Sequence, residues 1–271
     1  MESLEIIIAV GYFVFGTIIG SFLNVVSLRY NTGKMLLGRS GCFSCAKELK
    51  WFELFPVLSF IFQLGKCTKC KSKISIQYPI VEFLTGIIFL GIFLKFSALL
   101  FTAPHYLLLL SLYFMVIFSI LIVIFIYDLK HKIIPDDLVY TFASLSLLGM
   151  FFEFSTLELS IPTLLPFFSG PILFLPFFLL WFLSGGKWIG LGDGKLALGM
   201  GWFLGLSLGA SAILYSFWIG ALISVALMLF FSLNSRDKRI TMKSEIPFGP
   251  FLILGLVLVF FFEINIFNFI L

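Results

Sequence analysis

Charge is what this 271-residue chain has least of: 12% of its residues are Asp, Glu, Lys or Arg. A soluble domain carries about a quarter. Hydrophobic residues make up 61% of the chain, and the mean hydropathy is +1.13. Together these exclude a soluble globular protein and imply one helical membrane body with a small polar insertion. Histidine is almost missing too. His105 falls in a loop and His131 between two lysines, and neither has a nucleophile or metal ligand beside it in the sequence. The amino-terminal Met1-Glu2-Ser3-Leu4-Glu5 lacks a basic start and a small-residue cleavage site, so the first apolar stretch is expected to be a retained helix. The net charge of +4 is no argument for nucleic acid, because the lysines are distributed by membrane topology.

Apolar runs are what the chain has instead. About 20 residues are needed to cross a hydrocarbon core as a helix. About eight runs qualify: 4–28, 79–100, 106–127, 137–153, 161–183, 192–208, 210–233 and 247–269. Lys and Arg are retained on the cytoplasmic side. Residues 29–78 carry Arg29, Lys34, Arg39, Lys47, Lys50, Lys66, Lys69, Lys71 and Lys73 against Glu48 and Glu53. That loop is therefore expected in the cytoplasm, with the amino terminus outside. Alternation then puts Lys130 and Lys132, Lys187 and Lys195, and Arg236 and Lys243 on the same side. The opposite loops hold Pro104, His105, Glu153 and Glu158. Lys95, near an outer helix end, is expected to snorkel to the interface. The division read from this is a first transmembrane helix (1–28), a cytoplasmic cysteine domain (29–78) and a membrane domain (79–271).

All four cysteines lie in the one long hydrophilic stretch, as Cys42-Phe43-Ser44-Cys45 and Cys67-Thr68-Lys69-Cys70. Thiols stay reduced in the cytoplasm. Two such knuckles, 21 residues apart, have the spacing of a zinc ribbon, each supplying two thiolates of a tetrahedron. Zinc would act structurally, because a loop of this size with few apolar residues needs a staple. Two separate reduced pairs, or two local disulfides, fit the same four residues. No βαβ pattern surrounds either pair, which argues against a thioredoxin-like redox motif.

Two aspartates stand at the edges of apolar runs. Asp128 follows Ile124-Phe125-Ile126-Tyr127, and Asp193 lies in Gly190-Leu191-Gly192-Asp193-Gly194-Lys195. The topology puts both at the cytoplasmic boundary, where they can face each other. Carboxylates at membrane depth are costly and imply function. Two close together share a proton, so one serves as base toward water and the other protonates the scissile carbonyl. No histidine or third acid lies nearby to make the pair a metal site. Asp128 alone would also serve as an interfacial charge balancing Lys130 and Lys132. Asp193, Ala197, Gly201, Gly205 and Gly209 recur every four residues. Ordinary close helix packing accounts for a ridge of this kind, although this one begins at the aspartate. Asp136 and Asp137 follow Pro135 and read as a helix start.

These residues occur in an order that resembles the bacterial type IV prepilin peptidases, bifunctional leader peptidases and N-methyltransferases of the GxGD aspartic protease group. The likeness runs through Gly20-Ser21-Phe22-Leu23-Asn24-Val25-Val26, both knuckles, Trp51-Phe52-Glu53-Leu54-Phe55-Pro56 and Tyr78-Pro79-Ile80-Val81-Glu82. It continues with Asp128, Ile134-Pro135-Asp136, the GxGD at 190–193 and Ile246-Pro247-Phe248-Gly249-Pro250-Phe251. A basic residue that the family often has before its Tyr-Pro is replaced here by Ser75-Ile76-Gln77.

The resemblance implies an all-α polytopic enzyme of the bacterial cytoplasmic membrane with Asp128 and Asp193 as its catalytic pair. Its substrates would be prepilins or pseudopilins, cut on the cytoplasmic side after the glycine ending a short basic leader. The new amino terminus, commonly of phenylalanine, would be methylated from S-adenosylmethionine. By the same resemblance Glu53 is the candidate for methyl transfer. Glu82 and Asn24 are shared with the family and serve equally well as buried helix-packing groups. Two other classes compete: an ion- or proton-coupled transporter using Asp128 and Asp193, and a zinc-stapled membrane scaffold. A transporter predicts acids in mid-helix and an internal repeat, and neither is evident. The sequence carries no signal for oligomeric state.

Overall fold

The structure, a computed structural model, describes residues 2–32, 38, 40–42, 44–154, 161–234 and 246–267. Lys34, Arg39, Glu158 and the basic loop at 236–243 lie outside the described residues. The regular structure among the described residues is helical, with two isolated antiparallel bridges and no strand.

Each apolar run read from the sequence is helical over most of its described length, because an apolar segment in lipid must satisfy its backbone internally. The run at 79–100 breaks at Ser97, and the run at 247–269 is helical over Gly249–Phe262. In chain order these are α1 (Glu2–Arg29), a 3-10 turn (Trp51–Leu54), α2 (Leu58–Phe62), α3 (Gln77–Phe96) and α4 (Leu99–Thr102). There follow α5 (Pro104–His131), α6 (Asp136–Phe154), α7 (Ile161–Ser184), α8 (Leu191–Asn234) and α9 (Gly249–Phe262). Five of the described helices, α1, α3, α5, α7 and α8, are long and apolar enough to cross a membrane, and α9 is a shorter apolar helix. The runs expected at 192–208 and 210–233 form the two limbs of α8. They part at Gly205, whose φ of 78° and ψ of 176° are not helical. The break expected at 209 therefore lies four residues earlier.

The chain divides into two compact units, Met1–Val123 and Ile124–Leu271. In the first, α1 lies against α3 through small residues. A methyl group on Gly16 would come within 2.8 Å of the Gly86 Cα, and one on Gly20 within 2.8 Å of the Glu82 Cα. This is the close approach that small residues four apart permit in lipid. Rings flank the seam, with Tyr12 and Phe93 at 5.0 Å and Phe15 and Phe89 at 6.0 Å between centroids. Asn24 Nδ2 donates across it to the Tyr78 carbonyl at 3.2 Å.

In the second unit α8 is the central packing element, against α6, α7 and α9. Of the ridge expected from Asp193 onward, Gly201 and Gly209 lie against α7, while Gly205 has nothing within 4 Å of where its methyl group would go. Gly201 sits against the Ser169 carbonyl and Gly170, and Gly209 against Leu173. Ser169 Oγ donates to the Gly201 carbonyl at 2.7 Å, and Trp202 Nε1 to the Phe167 carbonyl at 2.9 Å. Gly201 and Gly209 thus serve a helix seam, which Gly205 interrupts. Helix α7 tolerates Pro166, Pro171 and Pro176 inside its span, as membrane helices do when neighbouring groups satisfy the freed carbonyls.

Candidate functional site

Two sites emerge, one in each unit. In the second unit, Asp128 lies in the last turn of α5 and is 3% exposed. Its carboxylate accepts a hydrogen bond from the Gly249 amide, at the first residue of α9. Asp193 is half-buried in the first turn of α8. Its backbone N–H reaches the Gly190 carbonyl at 3.2 Å, and its carboxylate accepts from the Gly190 amide. An acid that reaches back to the residue preceding its helix forms half of a capping box. Each carboxylate therefore meets the partly positive start of a helix, which favours negative charge.

The two acids lie within mutual electrostatic reach. Ile134, 9% exposed, fills the space beside both backbone turns. A methyl group on Gly192 would meet Ile134 Cβ at 3.0 Å, and one on Gly249 would meet Ile134 Cδ1 at 3.0 Å. On Gly249 it would also come within 2.5 Å of Asp128 Oδ2, so only glycine brings the α9 amide to that carboxylate. Gly249 was legible as part of a motif, but its contact was not: its partner is 121 residues away in sequence (249 against 128). Asp136 and Asp137 open α6 as expected, both exposed. Asp136 Oδ1 accepts from Lys195 Nζ at 2.6 Å, and Lys195 sits 4.9 Å over the Tyr140 ring. That ion pair fastens the start of α8 to the start of α6 beside the acid pair. The His131 ring lies tilted against Tyr127, at 4.4 Å between centroids.

In the first unit the four cysteines converge, all Sγ atoms lying within 4.8 Å of one another. All four are free thiols, so the two local disulfides are not formed. Cys42 Sγ and Cys70 Sγ are 3.7 Å apart. A tetrahedral zinc with bonds of about 2.3 Å spaces its sulfurs by about 3.8 Å, so the donor set fits that ion.

The knuckles are built alike. The Cys42 N–H donates to the Lys47 carbonyl at 3.0 Å, and the Cys67 N–H to the Ser72 carbonyl at 2.9 Å. The bridges Gly41–Glu48 and Lys66–Lys73 close them at equivalent positions. Ala46 and Lys71, each following a second cysteine, take positive φ of 53° and 58°. Each knuckle turns back through that residue so that its two thiols point the same way. The Ser72 hydroxyl lies 3.6 Å from Cys42 Sγ and 3.1 Å from Cys70 Sγ. It is the largest cause lowering both thiol pKa values, that of Cys42 reaching about 6 with help from the Cys45 and Ser44 backbone.

Glu53, in the 3-10 turn, has a side chain 1% exposed. Its Oε1 accepts from Lys47 Nζ at 2.7 Å and from Thr68 Oγ1 at 2.5 Å, and its Oε2 from the Lys50 amide at 2.8 Å. The Lys47 hydrogen bond, then those of Lys50 and Thr68, hold the carboxyl at about 2, well below its usual range. Glu82, in α3, is buried and accepts from the Val57 amide at 2.7 Å. Val57 has a φ of 59°, unusual for a β-branched residue. The buried carboxylate therefore holds a strained turn of the polar loop against α3. A cavity of about 500 Å³ is lined by Ile18, Ser21, Phe22 and Val25 of α1 and by Trp51, Leu54, Phe55 and Pro56, among others.

Comparison with known proteins covers both units. Residues 14–96 match the family described as the bacterial peptidase A24 N-terminal domain, and residues 115–225 match the type IV leader peptidase family. A prepilin leader peptidase/N-methyltransferase of Bacillus subtilis (strain 168) is 31% identical over 258 residues, covering 95% of each chain. One of Pseudomonas aeruginosa is 27% identical, covering 88% of this chain and 84% of its own. A type 4 prepilin-like proteins leader peptide-processing enzyme of Escherichia coli O78:H11 is 30% identical, covering 89% and 88%. No solved structure matches.

Proposed function

The chain belongs to the type IV leader peptidase family, and from that membership we propose how its residues share the work. It is a multi-pass membrane enzyme that processes prepilin leaders and N-methylates the product, the pair of activities that its relatives' names carry. Transport and scaffolding are not favoured. Asp128 and Asp193 are the proposed catalytic pair. The observation that supports this is that each carboxylate takes a backbone amide at a helix start, Asp128 from Gly249 of α9 and Asp193 from Gly190 before α8, with the two acids in mutual electrostatic reach. With one proton between them, the charged member removes a proton from water. The neutral member gives its proton to the carbonyl oxygen of the scissile bond. Attack then forms the tetrahedral carbon, and its collapse breaks the C–N bond as the amine takes up a proton.

The proposed substrate is a prepilin or pseudopilin cut after its leader glycine at the cytoplasmic face. Its apolar helix stays in lipid. The matching orientation puts the amino terminus outside and the cysteine domain in the cytoplasm. The proposed division of labour is residues 1–28 as an anchoring helix, 29–78 as the methyl-transfer domain and 79–271 as the peptidase.

Zinc held by Cys42, Cys45, Cys67 and Cys70 would join the two knuckles into one rigid unit. S-adenosylmethionine is the proposed source of the methyl group. The α1 cavity, with Phe22, Trp51 and Phe55 in its wall, has room and ring faces for an adenine. Glu53 is proposed as a residue that methyl transfer requires.

The test is cleavage of a prepilin in detergent by wild type, Asp128→Asn and Asp193→Asn. Both variants are expected to stay folded and lose at least about 10³-fold in rate. Cleavage surviving in a folded variant removes that aspartate from the mechanism. Activity of the wild type should follow two titrations belonging to the pair.

A further inference from the structure

Glu53 is joined to both knuckles at once. Lys47 belongs to the first, between its bridge and its second cysteine, and Thr68 lies between the two cysteines of the second. Both donate to the same oxygen, Glu53 Oε1, while Oε2 takes the Lys50 amide that precedes the 3-10 turn. A carboxylate 1% exposed with three protein donors has little capacity left for a ligand. Glu53 is also absent from the lining of the neighbouring cavity, to which its turn contributes Trp51 and Leu54. Ser72 ties the knuckles a second time, lying within reach of Cys42 of one and Cys70 of the other.

We propose that Glu53 is a positioning residue: it locks the two cysteine knuckles to each other and to the Trp51–Leu54 turn, and serves methyl transfer only through them. The inference rests on the reading of the cysteine cluster as a zinc site. A zinc ion with four thiolates carries a net charge of −2, and each half of the site contributes two of the ligands. Without a tie the halves separate as one thiolate pair lets go. Glu53 resists that opening, because Lys47 and Thr68 both have to leave a buried charge. The Lys47 ammonium, which donates to Glu53 Oε1 at 2.7 Å and to Thr68 Oγ1 at 2.5 Å, brings a positive charge beside the site's negative one.

The test uses the full chain in detergent, loaded with zinc, as wild type and as Glu53→Gln. Transfer of zinc to a colorimetric chelator is timed, and binding of S-adenosylmethionine is measured by calorimetry in saturating zinc. Groups that orient metal ligands cost about 10- to 100-fold in metal affinity when changed. Zinc release from Glu53→Gln is expected to quicken by at least about 10-fold, with donor affinity restored by excess zinc. Unchanged release together with donor binding lost in saturating zinc would make Glu53 a donor contact and overturn the proposal. A wild type that takes up no zinc sinks the metal reading, and this proposal with it. A wild type that holds zinc while Glu53→Gln releases no faster sinks this proposal alone. Thr68→Val, which removes one of the three hydrogen bonds, gives the same readout if Glu53→Gln fails to fold. Its release is expected to quicken less, and no change would count against the tie.

Discussion

At the scale of single residues, the acid pair depends on a side chain that is absent. Gly249 brings the first amide of α9 to Asp128, and a methyl group there would press on Oδ2 and on Ile134. Gly249→Ala should therefore displace either the amide or the carboxylate. A shift of about 1 Å at a reacting group costs about 10²-fold. We expect prepilin cleavage to fall by about that factor, in kcat more than in KM, while methylation of an already cleaved product persists. Full cleavage by the variant would show that this amide is dispensable. Lys195, two residues past Asp193, works by attachment. Its ion pair with the exposed Asp136 is partly solvated, and such pairs contribute at most about 1 kcal/mol. Lys195→Met should leave thermal stability nearly unchanged and be read in cleavage rate alone.

At the scale of elements, α8 joins hydrophobic runs that the sequence separates only by small residues. Gly205 breaks it with a φ of 78° and a ψ of 176°, a region open to essentially no residue but glycine. Nothing lies within 4 Å of where its methyl group would go, so any penalty for Gly205→Ala comes from the backbone. A cost of about 1–3 kcal/mol should lower the melting temperature by roughly 2–10 °C. A raised melting temperature would mean that α8 runs straight through. The position of this break was not legible, because Gly199, Gly201, Gly205 and Gly209 look alike in one dimension. Which one leaves the helix depends on what packs beside it: Gly199 and Gly201 are pressed by α6 and α7, while Gly205 is not. The α1–α3 seam was missed for a related reason. Gly16 and Gly20 sit at the spacing of a packing motif, yet only Gly86 and Thr85 of α3 give that spacing a use.

At the scale of the whole molecule, the two chemistries proposed above fall to different compact units, Met1–Val123 and Ile124–Leu271. The cysteine cluster belongs to the first and the aspartate pair to the second. Stripping zinc with a chelator should therefore loosen residues 40–75, measured as new proteolytic cuts and faster hydrogen exchange there. Methyl transfer should be lost and leader cleavage kept. Loss of both at once would mean that the peptidase needs the metal-bound domain.

Hydrophobicity is a local property, so the sequence by itself determined the membrane class, the helical state of its apolar runs and the polar loop that carries the cysteines, while the number of helices long enough to cross was not fixed by it. Short spacings are local too, which is why both knuckles and the acid that opens α8 were readable as chemistry. Contacts between distant segments are not local. The meeting of Asp128 with Gly249 and of Ile134 with both glycine turns was decided by packing. So was the convergence of Lys47 and Thr68 on Glu53. A buried carboxylate must find donors wherever the fold supplies them, and only the tertiary structure determines which donors those are.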